Sequence, residues 1–457
     1  MKTRRNLIQI WLLCAALQQV LNSGAQPVTK IAAGGRDSLF LRSDSSLWAM
    51  GYEGAGALGD GRSLYFGFRT NWPEQIVAGN VTAICGSGLH TLFLKSDGSL
   101  WVMGSNDEGQ LGDGTYNDVY PYVGTDRPEQ IVASNVTAIA VGDYHSLFLK
   151  HDGGLWAMGG NDYGELGDGT CNQSIRPEQI VASNVTAIAG GWHYSLFLKS
   201  DGSLWAMGYN KEGALGDGTY NNINRPEQII ASNVTSVAAG AYHSLFLKSD
   251  GSLWVMGANY EGQLGIGTYS TNAPYYGTNQ PQQIVASNVT AIAAGEFHSL
   301  FLKSDGSLWG TGANTYGQLG DGTYNGTNSP EQIVASNVTA IAAGEDFSLL
   351  LKNDGSLWGM GANSEGQLGD GTYNGTVLPK QIVPSNRISI QLLSGGFVFL
   401  SFEGLAGTNY AMDRATSLSP PNWLPQLTNP ANSIGVLLFT NTPDAATNNF
   451  WRVRSVP

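Results

Sequence analysis

A chain of 457 residues has room for one large domain with a small one, or for two to three ordinary domains. Its 61 glycines and 10% aromatic residues, against only 13% charged ones, exclude a disordered chain and point to β-structure with many tight turns. The net charge of −13 would repel phosphate backbones, so no nucleic-acid partner is expected.

Taken in chain order, the first element is an export signal over residues 1–25: Lys2, Arg4 and Arg5 precede an apolar run from Leu7 to Leu17, and Ser23-Gly24-Ala25 offers a cleavage site. Gln9, Gln18 and Gln19 interrupt that run too often for a membrane span, and no later stretch is apolar enough to cross a bilayer. Cleavage would discard Cys14 and shift the net charge from −13 to −16, the balance of a secreted, periplasmic or cell-surface protein. Cys85 and Cys171 remain, which excludes a disulfide framework but permits one bridge; Cys85 stands where sister repeats carry Ala, as a small buried thiol would.

From residue 28 the chain repeats itself. The S-L-W element recurs with Trp at 48, 101, 156, 205, 254, 309 and 358, giving seven copies. In the copy beginning at Asn288, Val289 to Ala293 and Ser299 to Lys303 read as strands, Asp305-Gly306 as a two-residue hairpin turn and Ser307 to Gly310 as a third strand. Asn314, Gly317, Gly320 and Gly322 break the chain into a loop, Pro330 cannot donate to a ladder, and Ile333-Val334 reads as a short outer strand. A unit of about 50 residues with four strands buries both faces only between sister sheets around an axis, so the predicted fold is all-β, a seven-bladed propeller over 28–386. The seven tryptophans, and Leu58, Leu111, Leu166, Leu215, Leu264, Leu319 and Leu368, are the expected filler between blades. Whether Val28 to Ala33 completes the sheet ending at Ile382-Val383, or the ring is sealed otherwise, is left open at this level.

Seven copies form an internal comparison set. Two pairs of positions vary most, one before the recurrent His and one after the loop Asn, and both mix aromatic with acidic residues in a way a core would not tolerate. Tyr144, Trp192, Tyr242 and Phe297 at the first, with Tyr163, Tyr260 and Tyr316 at the second, are candidate anchors for a protein partner. Three longer loops carry Tyr65, Phe66, Phe68, Tyr120, Tyr122, Tyr275 and Tyr276, which could stack on a glycan or pack on themselves.

The repeat, G-x-N-x-x-G-Q-L-G-D-G-T with H-S-L-x-L-K-S-D-G-S-L-W, resembles that of the regulator of chromosome condensation family, which implies the same propeller. Within that family it is similar to the exported bacterial branch that includes propeller-type β-lactamase inhibitor proteins. Those hold a target enzyme through loops at the two variable positions. The resemblance thus implies a binding face of Tyr144, Asp162, Tyr163, Trp192, Tyr242, Tyr260, Phe297 and Tyr316. The repeats here are longer by the G-D-G-T-Y-N…R-P-E-Q insertion, and the first two copies add few aromatics, so the target enzyme does not carry over.

Other constellations resolve into structure. The recurrent His position reads Asp37, His90, His145, Tyr194, His243, His298 and Phe347, and ligands on separate blades cannot share one ion, so packing or a hydrogen bond is expected rather than a metal. Asp in S-D-G-S and G-D-G-T reads as turn chemistry rather than calcium ligation, since Ile266 replaces one copy. The N-V-T triplets at Asn80, Asn135, Asn184, Asn233, Asn288 and Asn337 match a glycosylation acceptor but recur with the repeat. No nucleophile elbow, phosphate-binding Lys loop or H-E-x-x-H is visible, so no catalytic residue and no cofactor is expected, and the nucleotide-exchange activity of the family's nuclear prototype is not.

After Pro384 the period stops. Five short strands are predicted within 388–457, with Pro420-Pro421 and Pro430 at turns, and the string F-E-G-L-A-G-T-N-Y resembles a small fibronectin- or immunoglobulin-like module. The function these readings support is that of a monomeric, exported, non-enzymatic scaffold binding a protein; a cell-surface glycan-binding or structural role is the alternative.

Overall fold

The computed structural model describes residues 27–62, 69–116, 124–270 and 277–383, and the backbone of six strands between 388 and 455. The expected export segment, residues 1–25, and the loop aromatics Tyr65, Phe66, Phe68, Tyr120, Tyr122, Tyr275 and Tyr276 lie outside the described residues.

Residues 28–383 form seven four-stranded antiparallel sheets, each with its strands in consecutive order, a seven-bladed propeller as predicted. The strands of the sixth sheet are Val289–Ala294, His298–Lys303, Leu308–Gly312 and Thr327–Val334. Its second strand does not alternate: five consecutive residues are buried, because both of its faces lie against packed side chains. The turn after it is a three-residue one. Gly306 N–H donates to Lys303 O (2.9 Å) and Lys303 N–H to Ser307 O (3.0 Å), and only Gly306 has positive φ (+77°). A type I turn closed by a left-handed Gly therefore replaces the predicted two-residue hairpin. The outer strand is longer than predicted. Pro330 sits in the irregular register between Glu331 and Thr327 on an edge strand, where a missing N–H costs no ladder bond.

The six N-V-T asparagines all lie in the left-handed region, with φ of 67–70°. Asn is tolerated there because its short polar side chain bonds locally, so the triplet recurs for a backbone reason. The valine that follows starts each inner strand and ties it to the preceding hairpin turn, as in Val289 N–H to Gly251 O (3.0 Å). The same bond joins Val28 to Gly355 (3.2 Å).

Core clusters lie between sheets. One joins Tyr194, Leu196, Leu204 and Leu215 of the fourth sheet to Val234, Phe246 and Met256 of the fifth. The repeated leucines are buried as expected, but the tryptophans are not the buried aromatics. Phe246 is fully buried, while Trp254 is half-buried, stacked on Phe246 (6.1 Å, 10° between planes) with Lys248 Nζ 3.9 Å above its other face. The Phe of the second strand fills the blade interface and the Trp seals its margin beneath a lysine. A hydrogen-bond relay explains the rest of that motif: Trp309 Nε1–H donates to Ser307 Oγ (2.9 Å), which donates to Asp305 Oδ1 (2.6 Å). Gly154 replaces this Ser in the third sheet, and Trp156 Nε1 has no partner.

The ring closes without a shared strand. Val28–Ala33 belongs to the first sheet and Thr376–Val383 to the seventh. The seam is made by side chains and loops: Ser38 Oγ–H donates to Gln367 O (2.6 Å), Gly371 N–H to Asn71 O (2.9 Å), and Arg36 forms a bidentate pair with Glu345 (2.7 and 3.2 Å).

Between 388 and 455 two three-stranded antiparallel sheets form: Ile388–Leu392, Val398–Glu403 and Val436–Asn441, and Leu424–Pro430, Asn409–Ala415 and Phe450–Ser455. Leu424–Pro430 was not predicted. It is an edge strand, where Pro425 and Pro430 are tolerated, so Pro430 ends a strand rather than marking a turn.

Candidate functional site

The loop before each second strand and the loop after each third strand emerge at the same end of a blade, because those strands pair antiparallel with the recurrent His opposite a Gly, as in His298 with Gly312. A bond fixes the two loops together: Ala313 N–H donates to Phe297 O, Gly160 to Tyr144 O and Ala258 to Tyr242 O, each at 2.8 Å. Both variable pairs therefore share one face.

On that face the aromatics form a continuous arc over the third to sixth sheets. Tyr144 stacks on His193 (5.5 Å), His193 meets Tyr163 (5.0 Å), Tyr163 meets Tyr209 edge-on (5.0 Å), and Tyr209 meets Tyr242 (5.6 Å). Trp192 then lies edge-on to Tyr242 (5.0 Å) and to Phe297 (6.5 Å), and Phe297 reaches Tyr260 (5.4 Å). Every ring in the arc is half-buried. Mutual packing fixes the rotamers while one side of each ring stays open, which lowers the entropy lost on binding.

Six of the eight expected residues meet in this way. Asp162 is exposed beside Tyr163, and Tyr316, 52% exposed, stands apart from the arc. Sequence reasoning did not select His193 or Tyr209. His193 is the second member of a variable pair whose first member was chosen; Tyr209 precedes the loop Asn, at a position that also varies between copies (Tyr52, Ser105, Gly160, Ala258).

Carboxylates flank the arc. Glu165 is buried, lies 3.6 Å from His193 Nδ1 and accepts Tyr163 N–H (2.8 Å); although burial opposes ionisation, these partners hold its pKa below the usual range. Burial, with the charge of Glu212 adding to it, pushes the Tyr242 hydroxyl up to about 12.

Inside the arc a cavity of about 420 Å³ opens on the axis, lined by residues from all seven sheets. Its lining includes Asp143, Glu296 and Glu345 together with Trp192 and Tyr144. Burial raises Asp143 to about 7; burial and then the neighbouring Glu345 raise Glu296 to about 8 and Asp346 to about 6. Ligand oxygens of Glu296, Glu345 and Asp346 come within 4.8 Å of one another. Arg36 already pairs with Glu345, and Gln318 Nε2 donates to Asp346 (3.2 Å).

The recurrent histidines lie below this face as joints between blades. His90, His145, His243 and His298 place Nε2 2.8–3.0 Å from Ser146, Ser195, Ser299 and Ser348 of the next sheet. Each Ser gives its one proton to a backbone carbonyl, as Ser195 does to Glu165 O (2.7 Å), so the His must donate from Nε2. Burial depresses these imidazoles to about 3 to 4 and keeps them neutral. Cys85 and Cys171 are free thiols, the first half-buried and the second exposed.

Comparison with known proteins places this geometry. Residues 69–400 match the RCC1-like domain family. Mouse Protein RCC2 is 33% identical over 144 residues, 30% of this chain and 26% of the relative; the X-linked retinitis pigmentosa GTPase regulator homolog of Caenorhabditis elegans is 34% identical over 143 residues, 30% of this chain and 10% of the relative. The chain thus spans about a quarter or less of the length of these curated relatives. Among solved structures it is similar in fold to human WBSCR16 (TM-score 0.63, 24% identity, 75% of this chain and 95% of that one) and to yeast RCC1 (Prp20) bound to Kap60 (0.65, 20%, 82% and 88%). With the family matched over most of its length and seven blades built from the corresponding repeat, the chain belongs to the RCC1-like domain family.

Proposed function

We propose that the protein is a binding scaffold that presents the aromatic face of its propeller to a protein partner. The observation that carries this is the unbroken chain of ring contacts from Tyr144 to Tyr260, spread over four blades and open on one side. A hydrophobic surface of interlocked Tyr, Trp and Phe rimmed by carboxylates matches the composition of interface hot spots. The yeast relative Prp20p, similar in fold alone at 22% identity, was described with its binding to Gsp1p and histones, so a propeller of this shape supports protein recognition. The protein acts as a monomer and without catalysis. The segment 1–25 directs export, residues 28–386 form the binding domain, and 388–457 a small β-sandwich module; mass spectrometry of the mature chain showing Met1 to Ala25 retained would sink the export reading.

Capture of partners from the host's exported fraction tests the face. Changing Tyr144, Trp192, Tyr242 and Phe297 to Ala one at a time should abolish capture in at least two variants, each truncation weakening a partner by about 2 kcal/mol or more. Undiminished capture by all four would exclude this face, and binding to a glycan array sensitive to Tyr120 or Tyr275 would favour the sugar-binding alternative.

A further inference from the structure

We propose that the axial cavity is a receptor for a single arginine side chain from a basic segment of the partner, an inference that rests on the aromatic face being the docking surface. Three features of the site converge on a cation. Asp143 lines the cavity, and its carboxylate makes no hydrogen bond or ion pair among the described residues. Glu296 and Glu345 line it from two further blades, with Asp346 beside them, and Arg36, which pairs with Glu345 and also lies within electrostatic reach of Asp346, is the one Lys or Arg among the residues that line it. Trp192 and Tyr144 line the same cavity, so aromatic rings and carboxylates are offered to one ligand, the pairing that suits a cation.

The volume, about 420 Å³, lies at the small end of ligand sites and suits one extended side chain with water rather than a folded element. Guanidinium is preferred to ammonium because its planar fork can address two carboxylates from different blades and its faces can stack on an aromatic ring of the lining. Burial first, and the charge of Glu345 after it, raise Asp143 and Glu296 into the neutral range, with His193 opposing this at Asp143; an arriving cation ionises them, so binding should release protons near neutral pH.

The test uses the full chain and two acetylated Gly-Ser peptides, one with a single central arginine and one with citrulline, which has the same shape but no charge. Calorimetry into the millimolar range should show the arginine peptide binding at least tenfold more tightly than its citrulline twin. Heats measured in buffers of different ionisation enthalpy should report proton release between pH 6 and 8. Asp143→Asn and Glu296→Gln, both checked for an unchanged melting profile, should each weaken the arginine peptide at least fivefold. Equal binding of the two peptides, no binding of either, or variants indistinguishable from the parent would overturn the proposal, as would stoichiometric calcium uptake that excludes the arginine peptide. None of these readouts needs the native partner. Their failure therefore leaves the aromatic face intact, whereas undiminished capture by the aromatic variants sinks the docking reading by itself.

Discussion

Within the loop after each third strand, one asparagine does the work of several backbone groups. Asn314 Oδ1 accepts Leu319 N–H (2.9 Å), while Nδ2 donates to Asp321 (3.0 Å) and to Thr323 O (3.2 Å). The first copy has Glu53 in that place, buried, with neither carboxylate oxygen partnered. Burial, then the charges of Asp60, Asp37 and Asp126, push Glu53 up to about 9, and burial pushes Asp37 up to about 7. These folded-state values lie above the unfolded ones, so the folded chain holds extra protons and stability falls as pH rises from about 4 towards 7 and 9. The buried histidines have the opposite slope: their folded values lie below the unfolded one, so their contribution is full above about 6.5 and is lost as pH falls towards 4 and 3. Above pH 6.5 only the carboxyl slope remains. Glu53→Asn, which restores the repeat's own residue, should raise stability by about 1–3 kcal/mol at pH 8 and by less at pH 5, read from urea midpoints at the two pH values. A gain that is equal at both would refute the assignment of the alkaline loss to Glu53.

At the level of the strand, the positions of Phe and Trp differ in kind. Phe197→Ala empties a fully buried site in the cluster that joins the third and fourth sheets and should cost about 3–5 kcal/mol, whereas Trp205→Ala removes a half-buried ring held under Lys199 and should cost about 1–2 kcal/mol. Equal losses in thermal or urea unfolding would mean that the indole carries the interface after all. The third sheet offers the reverse experiment. Gly154 does not have a left-handed φ, and an added Cβ would stand 3.0 Å from the side chains of Asp152 and Gln179, so once Gln179 shifts Gly154→Ser supplies the hydroxyl that Trp156 Nε1 lacks and that Asp152 would accept as Asp305 does in a sister turn, with an expected gain of up to about 1 kcal/mol in the same measurement.

Across the whole ring, four of the seven joints share one His–Ser design, Tyr194 with Ser244 is a variant of it, and the joints at Asp37 and at Phe347, the latter being the seam between last and first sheets, lack the bond. At an ordinary joint Ser195 both donates to Glu165 O and receives His145 Nε2–H (2.9 Å), so Ser195→Ala strands two buried groups and should cost about 2–4 kcal/mol. At the seam the His position is Phe347, and Ser38 serves only Gln367 O, so Ser38→Ala should cost about 1–2 kcal/mol. A seam variant that costs as much as the joint variant, by equilibrium unfolding, would show that closure depends on Ser38 more than its bonds suggest. The exposed Arg36–Glu345 pair across the same seam contributes little to stability, which frees it to shape the cavity instead.

The sequence by itself determined the number of blades, the four strands of each and the loops free to vary, because these follow from local chemistry repeated seven times: a left-handed Asn, an Asp-Gly-Ser turn, Gly where the chain must double back. Local chemistry could not tell Phe246 from Trp254 as the buried ring, since both belong in a strand and only the neighbouring sheet decides which one water reaches. Nor could it join Tyr209 and His193 to the arc, place Asp143 beside the axis, or show that Ser38 closes the ring. Those contacts cross from one blade to the next, between residues some 50 to 330 positions apart in sequence, as at His145 with Ser195 and Ser38 with Gln367. Packing around the axis alone brings them together.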